Sequence, residues 1–222
     1  MINFSQLKSL TIPEGPVSRL LWGDKVVWQK QKSPPEGYTR RSYIESDGKQ
    51  CINTGFIADA NSKVVMDCQS IGVVGSKVGQ AFFGARTSAS SKSFAVYWHD
   101  ANDNYRYMYG SSYAEKKLDR IADRIIITAD KNVATIGDKL TLTRPEESFA
   151  CEYPMFLFAL NNAGSILLPT KLRAYSCQIY DGTGALVRSY LPYTNPDGES
   201  GLWDFVTGAF YANAGSGAFT YG

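Results

Sequence analysis

The side chains best suited to bind a ligand are aromatic residues beside a polar loop. Trp98 ends one alternating segment, and Tyr105, Tyr107 and Tyr109 occupy every second position of the next. Because alternate strand residues point to the same side, the three tyrosines share one face. Aromatic rings stack on the C–H surfaces of sugars, and nearby Asp or Asn side chains bond sugar hydroxyls. The candidate glycan-binding residues are therefore Trp98, Asp100, Asn102, Asp103, Tyr105, Tyr107 and Tyr109.

The same tyrosines have a second interpretation. Alternating aromatic residues also pack in the core of a sandwich, or pair with other rings across neighbouring strands. The sequence does not choose between a sugar-binding face and a core face, so both hypotheses stay open.

The polar loop at residues 99–104 also suits a hard metal ion. Asp100, Asn102, Asp103 and Asn104 could supply the oxygen ligands that calcium prefers. Asp and Asn also favour turns, and we favour an ordinary hairpin loop here. We therefore predict no cofactor, with calcium at this loop as the alternative.

Carboxylates and the single histidine give little basis for catalysis. Glycoside hydrolysis needs two positioned carboxylates, and Glu45 and Asp47 have strand-like i, i+2 spacing. Asp47 and Gly48 form a predicted turn, so we expect the two carboxylates not to share one strand face. His99 is the only imidazole and lies in the polar loop, where a solvated side chain is the expected state. The sequence predicts no catalytic residue and no enzymatic activity.

These residues are carried by a chain that reads as strands and turns. The composition is rich in Tyr, Phe and Gly (14, 11 and 20 residues), which favours an all-β fold. In residues 63–70 we expect Val64, Met66 and Cys68 to face inward. Gly84 predicts a bulge or a close backbone approach, and the apolar run at residues 155–160 predicts a strand buried on both faces.

The clearest supersecondary signal is a long antiparallel hairpin at residues 171–192. Tyr175, Cys177 and Ile179 alternate with polar residues and are expected to share one face. Residues 181–184 (DGTG) form the turn, and Pro192 is expected to end the pairing. Such a hairpin needs a second sheet to cover its apolar face, so the sequence predicts a two-sheet antiparallel sandwich.

One helix is predicted within this all-β pattern. Ser112 and Glu115 have the spacing of a capping box, and apolar residues follow at helical intervals up to residue 125.

The first 30 residues predict a small β module. Strands are expected at residues 7–12, 17–22 and 25–29, with a turn at residues 13–16 and Gly23-Asp24 as a two-residue hairpin loop. So few apolar residues cannot form a stable free domain, and Trp22, Val26 and Trp28 would be left uncovered. We therefore predict an anchoring module at residues 1–30, a Pro-rich linker at 31–38 and the main domain at 39–222.

Charge and cysteine usage restrict the class of protein. The net charge of +2 gives no electrostatic case for nucleic acid, and no apolar run approaches the ~20 residues of a membrane span. The N-terminus does not have the pattern of a signal peptide. The four cysteines have no CxxC pair and no metal-site spacing, so we expect buried free thiols in a reducing compartment.

Five segments of the main domain occur in a characteristic order: YIESDGKQCINTGF, VVMDCQ, FFGAR, LRAYSCQIYDGTGALVRSYLPY and GLWDFVTGAFYANAGSGAF. Over about residues 40–220 the chain resembles a laminin-G-like, concanavalin A-like jelly-roll domain. This resemblance implies two stacked antiparallel sheets, one of them concave, with carbohydrate binding in many members. Domains of this kind occur in bacteriophage structural proteins, and TIPEGPVSRLLWGDKVVWQ is similar to a segment that opens several phage virion proteins.

Together these features predict a non-enzymatic bacteriophage virion protein, either a capsid decoration or head fibre or a tail-associated protein. Its expected partners are other virion proteins, bound through residues 1–30, and host-surface carbohydrate, with no nucleic acid or membrane. The protein would fold in the host cytoplasm and be displayed on the particle in many copies or as a homo-oligomer. The alternatives are a glycosidase of the same fold and a bacterial surface adhesin.

Overall fold

The computed structural model describes residues 10–12, 15–17, 19–22, 25–75, 79–88 and 91–222, with side chains described from residue 30 onward except that of Asp100. Within these residues the chain is all-β, with one short 3₁₀ turn at Asp100–Asn102. The strands are β1 (Leu10–Ile12), β2 (Gly15–Val17), β3 (Arg19–Trp22), β4 (Lys25–Gln29), β5 (Thr39–Arg40), β6 (Ile44–Asp47), β7 (Ile52–Asn53), β8 (Lys63–Ser70), β9 (Gly79–Ser88), β10 (Ser91–His99), β11 (Asn104–Gly110), β12 (Ser112–Lys117), β13 (Arg124–Asp130), β14 (Val133–Ile136), β15 (Leu140–Thr143), β16 (Phe156–Leu157), β17 (Leu160–Asn162), β18 (Ser165–Leu167), β19 (Lys171–Tyr180), β20 (Leu186–Thr194), β21 (Ser200–Asp204), β22 (Ala209–Tyr211) and β23 (Thr220–Tyr221).

Two sheets pack face to face, which confirms the predicted sandwich. The large sheet has the strand order β15-β14-β13-β8-β19-β20-β21-β22. Three more strands join it, since β5 pairs with β20, β6 pairs with β19, and β23 pairs with β6. The small sheet has the order β12-β11-β10-β9-β16-β7, with the hairpin β17–β18 attached to β9. The pairing is antiparallel throughout these ladders except that β17 runs parallel to β9. The fold is therefore a jelly-roll-like β-sandwich.

The core lies between the two sheets and follows the alternation of their strands. Val64, Met66 and Cys68 of β8 are buried, while the residues between them are half exposed, as predicted. Opposite them, the small sheet contributes rings such as Phe83 and Phe94 to the same cluster. Burial of apolar surface at ~25 cal/mol per Å² is the main force that holds the two sheets together.

The central hairpin forms as predicted, but a bulge changes which residues face the core. β19 pairs with β20, with Cys177 opposite Tyr190. Against β8 the register shifts between Ala174 and Ser176, so Tyr175 points outward instead of sharing the buried face of Cys177. The prediction for Tyr175 was wrong because a bulge adds one residue and reverses the phase of alternation.

Pro192 does not end its strand. Pairing of β20 with β19 ends at Tyr190, but β20 continues to Thr194 against β21 and β5. The carbonyl of Pro192 accepts a hydrogen bond from the backbone N–H of Arg41 at 3.0 Å. Proline lacks an N–H donor but keeps its carbonyl. It is tolerated within β20 because that carbonyl still accepts a backbone hydrogen bond.

The predicted helix is absent from the described residues. Residues 112–117 form β12, which pairs with β11 across a turn at Gly110, so the capping-box spacing of Ser112 and Glu115 was misleading. Residues 118–123 form a loop, and Leu118 and Ile121 pack against the core. Tertiary pairing overrides a weak local helix signal here.

Two further predictions concern buried backbone. A Cβ at Gly84 would lie 2.2 Å from the Cβ of Ala95, so the predicted close approach is confirmed. Residues 155–160 are all buried, as predicted, but they form two short strands instead of one, because Phe158 has a φ of +67° between them.

The N-terminal strands form two separate pairs. β1 pairs with β2, and β3 pairs with β4 in the predicted hairpin. Gly15 and Pro16 lie in β2, so their assignment to a turn was wrong. The side chains of the predicted anchoring residues Trp22, Val26 and Trp28 lie outside the described residues, as does the Gly23-Asp24 loop.

The predicted linker contacts the sandwich. The backbone N–H of Lys32 donates to the carbonyl of Phe205 at 2.7 Å, and Nε1 of Trp203 donates to the carbonyl of Lys32 at 2.8 Å. The ring of Tyr38 packs edge-on against Trp203 at 5.1 Å between centroids. These contacts fix Lys32 and Tyr38 against the large sheet, while the boundaries at residues 30 and 38 stay predictions.

All four cysteines, which lie in the described part of the chain, are buried free thiols, as predicted. Burial raises the pKa of Cys51 to about 11 and that of Cys151 to about 12, and it also raises the pKa of Cys68 and Cys177. Only the thiolate is nucleophilic, so a buried thiol that stays protonated is inert.

We expect the folded protein to release almost no chromophore from a disulfide reagent such as DTNB at pH 8. After denaturation in guanidinium chloride, all four thiols should react. Because burial raises the pKa of the thiols in the folded state, the buried protonated thiols contribute to stability in full below the ordinary thiol pKa of about 9. This contribution decreases as the pH rises above that value, since the unfolded chain then ionises its thiols first. Rapid modification of one thiol in the native protein would contradict this expectation.

Candidate ligand-binding cleft

The predicted glycan-binding rings are core residues. Tyr105 and Tyr107 are fully buried, and Tyr109 and Trp98 are at most 4% exposed. The three tyrosines do share one face, as the alternation predicted, but it is the inner face of the small sheet. A ring that is covered by the opposite sheet cannot stack on a sugar from solvent, so the prediction that these four rings bind a glycan was wrong.

The polar ends of these rings bond to backbone groups in the connections between strands. The hydroxyl of Tyr107 donates to the carbonyl of Lys131, and that of Tyr109 donates to the carbonyls of Ala60 at 3.0 Å and Glu147 at 3.3 Å. Buried tyrosines usually find such partners. Tyr107 and Tyr109 therefore fix turns at one end of the sandwich from inside the core.

The polar loop lies at the other end of the same strands. Asn102 is exposed and Asp103 is half buried, and the carbonyl of Asp103 accepts a hydrogen bond from the backbone N–H of Leu118 at 2.8 Å. The side chain of Asp100 lies outside the described residues. Because Trp98 and the tyrosines are buried, the structure does not join these loop residues to an exposed aromatic surface. Their roles in glycan or calcium binding stay predictions.

A cleft of about 410 Å³ opens at the end of the sandwich that Tyr107 and Tyr109 fix. Its lining residues come from the start of β8 and the segment before it, from the end of β13 and the turn after it, and from the end of β19 and the turn after it. They are Asn61, Lys63, Asp130, Lys131, Tyr180, Asp181, Gly182, Thr183 and Gly184.

One row of side chains across three adjacent strands carries the chemistry of the cleft. The pairing register places Tyr180 of β19 beside Lys63 of β8, and Lys63 beside Asp130 of β13. Nζ of Lys63 lies 2.7 Å from Oδ2 of Asp130 and 6.0 Å from the centroid of the Tyr180 ring. An aromatic face, an ammonium and a carboxylate are thus side by side.

The β19–β20 turn forms one wall of the cleft and is stabilised by its own aspartate. The carboxylate of Asp181 accepts hydrogen bonds from the hydroxyl of Thr183 and from the backbone N–H groups of Thr183 and Ala185. Burial opposes ionisation of Asp181, but these bonds outweigh it and lower its pKa. A Cβ at Gly182 would lie 2.6 Å from Oδ2 of Asp59, so the turn packs closely against the segment before β8.

The β13–β14 turn forms a second wall. Lys131 has a φ of +53°, an uncommon conformation for a residue with a side chain. Its carbonyl is bound by Tyr107, and its N–H donates to the carbonyl of Ser62 at 3.1 Å. These two bonds hold the turn while the Lys131 side chain stays exposed beside the cleft.

The carboxylates considered for catalysis lie elsewhere, on the outer face of the large sheet. Glu45 and Asp47 both belong to β6 and share its outer face, so the expectation that they would not was wrong. Because β6 extends through Asp47, the turn begins one residue later than predicted. Glu45 is paired with Nε of Arg173 at 2.6 Å, and Asp47 lies 3.5 Å from Lys49.

No group of three or more His, Cys, Asp or Glu side chains among the described residues could hold a metal ion. No helix in the described part of the chain has the length and apolar character needed to cross a bilayer.

Comparison of the chain with protein-family models and with curated proteins gives no match. The resemblance to laminin-G-like domains of phage proteins therefore stays a prediction, whereas the sandwich itself is observed.

Sequence reasoning missed the Tyr180–Lys63–Asp130 row although each part was visible. The outward phase of Lys63 followed from the inward phase of Val64, and the turn at residues 181–184 that follows Tyr180 was predicted. The missing information was the pairing of β19, β8 and β13, which are distant in sequence. Polar residues at the ends of strands can be read from the sequence. Only the pairing register shows which of these strand ends are neighbours.

Proposed function

We propose that this chain is a non-enzymatic virion structural protein of a bacteriophage whose β-sandwich binds glycan through the cleft around Tyr180. The observation that carries this proposal is the row of Tyr180, Lys63 and Asp130 in a cleft of about 410 Å³. Ligand sites combine an apolar or aromatic surface with a few polar groups and usually enclose roughly 300–1,000 Å³. Rigid sandwiches carry binding residues on their loops and strand ends.

The small N-terminal strand pairs support the virion part of the proposal. Under this proposal, residues 1–30 dock on a capsid or tail protein and the sandwich faces outward. A single small sugar site binds weakly, so attachment depends on many copies of the chain on one particle. Display on a symmetric particle supplies that number of copies.

The test is glycan binding by the purified chain and by Tyr180→Ala, measured on an array of neutral and acidic oligosaccharides. We expect the wild-type chain to bind a subset of these glycans and Tyr180→Ala to bind them about five-fold more weakly, because a stacking contact is worth about 1 kcal/mol. Because Tyr180 is half exposed, the melting temperature of the Tyr180→Ala variant should stay close to that of the wild-type chain.

The matched control is Tyr113→Ala, which removes a tyrosine that is 41% exposed and lies on β12, outside the cleft. This variant should bind as the wild-type chain does. Equal binding by Tyr180→Ala and Tyr113→Ala would contradict the proposed site, and the absence of any glycan binding by the wild-type chain would contradict the function.

A further inference from the structure

We propose that the cleft selects a neutral sugar that presents two adjacent free hydroxyls, which bind to Asp130 and Lys63 while Tyr180 covers the ring face. This inference rests on the proposed glycan-binding function and adds the class of sugar. It follows from the geometry of the ion pair, from the charge of the cleft and from its size.

The ion pair offers a donor and an acceptor side by side. The distance of 2.7 Å between Nζ of Lys63 and Oδ2 of Asp130 is similar to the separation of neighbouring hydroxyl oxygens on a pyranose ring. The pair uses one of the three ammonium donors and one carboxylate oxygen, so further donors and acceptor sites remain. The two side chains are 38% and 45% exposed, so a ligand can reach them.

Two adjacent hydroxyls complement this arrangement. One hydroxyl oxygen accepts a hydrogen bond from the Lys63 ammonium, and the neighbouring hydroxyl donates to the Asp130 carboxylate. Both bonds involve a charged group and are therefore stronger than bonds between neutral groups. A sugar whose adjacent hydroxyls are substituted or absent can form at most one of them.

The charge of the cleft favours a neutral sugar. Its lining contains two lysines, Lys63 and Lys131, and two aspartates, Asp130 and Asp181, so the formal charges cancel. The lowered pKa of Asp181 keeps that carboxylate ionised at neutral pH. An acidic sugar would gain attraction from the lysines but would meet repulsion from the two carboxylates.

The size of the cleft favours a sugar at the end of a chain. About 410 Å³ lies near the lower end of the range for ligand pockets. The turn at residues 181–184 follows Tyr180 at one end of the Tyr180–Lys63–Asp130 row, and Lys131 follows Asp130 at the other end, so both limit the cleft.

Periodate oxidation provides the first arm of the test, because periodate cleaves the carbon–carbon bond between adjacent free hydroxyls. Neutral oligosaccharides that bind the wild-type chain are oxidised with periodate, reduced with borohydride and returned to the binding assay. We expect binding to fall about ten-fold or more relative to mock-treated glycan, since charged hydrogen bonds are lost. Unchanged binding after complete oxidation would overturn the inference.

Variants provide the second arm. Lys63→Met and Asp130→Asn should each weaken binding of the neutral glycans about ten-fold or more, while the melting temperature stays close to that of the wild-type chain because the pair is exposed. The matched controls are Lys139→Met and Asp138→Asn, which alter an exposed Lys–Asp pair at 3.3 Å on the β14–β15 turn, outside the lining of the cleft. The controls should bind normally.

The outcomes separate the inference from the function on which it rests. If Tyr180→Ala loses binding but Lys63→Met and Asp130→Asn do not, the glycan site stands and the adjacent-hydroxyl inference falls. A preference for acidic over neutral glycans would also overturn the inference. If the wild-type chain binds no glycan, the proposed function and the inference fall together.

Discussion

Replacement of Tyr107 by alanine is expected to destabilise the sandwich by about 3–5 kcal/mol, the usual cost of removing a large buried aromatic side chain. Tyr107 is fully buried between the sheets and contacts Phe94 edge-on, with 5.9 Å between ring centroids. Alanine would leave a cavity there. For a domain of this size the melting temperature should fall by roughly 6–20 °C.

Tyr107→Phe separates the ring from its hydroxyl. Phenylalanine keeps the ring but loses the hydrogen bond to the Lys131 carbonyl, so the expected loss of stability is only about 1 kcal/mol. The β13–β14 turn, which lines the cleft, would be held less firmly. The free energy of glycan binding should therefore decrease by more than the free energy of unfolding does. Thermal and urea denaturation followed by circular dichroism measure the first effect, and the glycan array measures the second.

The exposed Tyr113 is the control for both Tyr107 variants, and Tyr113→Ala should stay within about 0.5 kcal/mol of the wild-type chain. If Tyr107→Ala melted at the wild-type temperature, the ring would not be part of the core. The hypothesis that it binds a sugar from solvent would then return.

Alternation within single strands made much of the sandwich predictable. β8 shows why, because Val64, Met66 and Cys68 occupy every second position, and only one phase buries all three of them. Turns such as residues 181–184 were also predictable, since Asp and Gly stabilise them locally. These signals need no knowledge of the rest of the chain.

Features that depend on a partner strand were not predictable from one sequence. The bulge that turns Tyr175 outward is a property of the β19–β8 register, and β12 replaces the predicted helix because β11 offers it a pairing edge. The cleft row has the same origin, since Lys63, Asp130 and Tyr180 are neighbours only after three distant strands pair. Alternation placed Tyr107 on a face, but only the second sheet determines that this face is buried.

The loss of the Asp204 carboxylate is the second change with a large expected effect. Asp204 is fully buried at the end of β21, and Oδ1 accepts hydrogen bonds from the backbone N–H groups of Ser189 at 2.8 Å and Val206 at 3.0 Å. Oδ2 accepts from the hydroxyl of Thr207 at 2.7 Å and lies 3.7 Å from Nε of Arg188. One carboxylate thus joins β20 to the β21–β22 turn.

We expect Asp204→Ala to destabilise the domain by about 3–5 kcal/mol, because it leaves the N–H groups of Ser189 and Val206 without their acceptor and removes the negative charge beside the largely buried Arg188 guanidinium. Asp204→Asn should cost less, since its amide oxygen can still accept from Ser189 and Val206 while the charge next to Arg188 is lost.

Asp197→Ala, at an exposed position in the β20–β21 turn, is the matched control and should change stability by at most about 0.5 kcal/mol. Urea denaturation of the three variants gives the order directly, with the midpoint lowest for Asp204→Ala, intermediate for Asp204→Asn and near wild type for Asp197→Ala. The same midpoint for Asp204→Ala and Asp197→Ala would mean that the carboxylate network does not stabilise this corner of the sandwich, and that burial of the surrounding aromatic residues is sufficient to hold it.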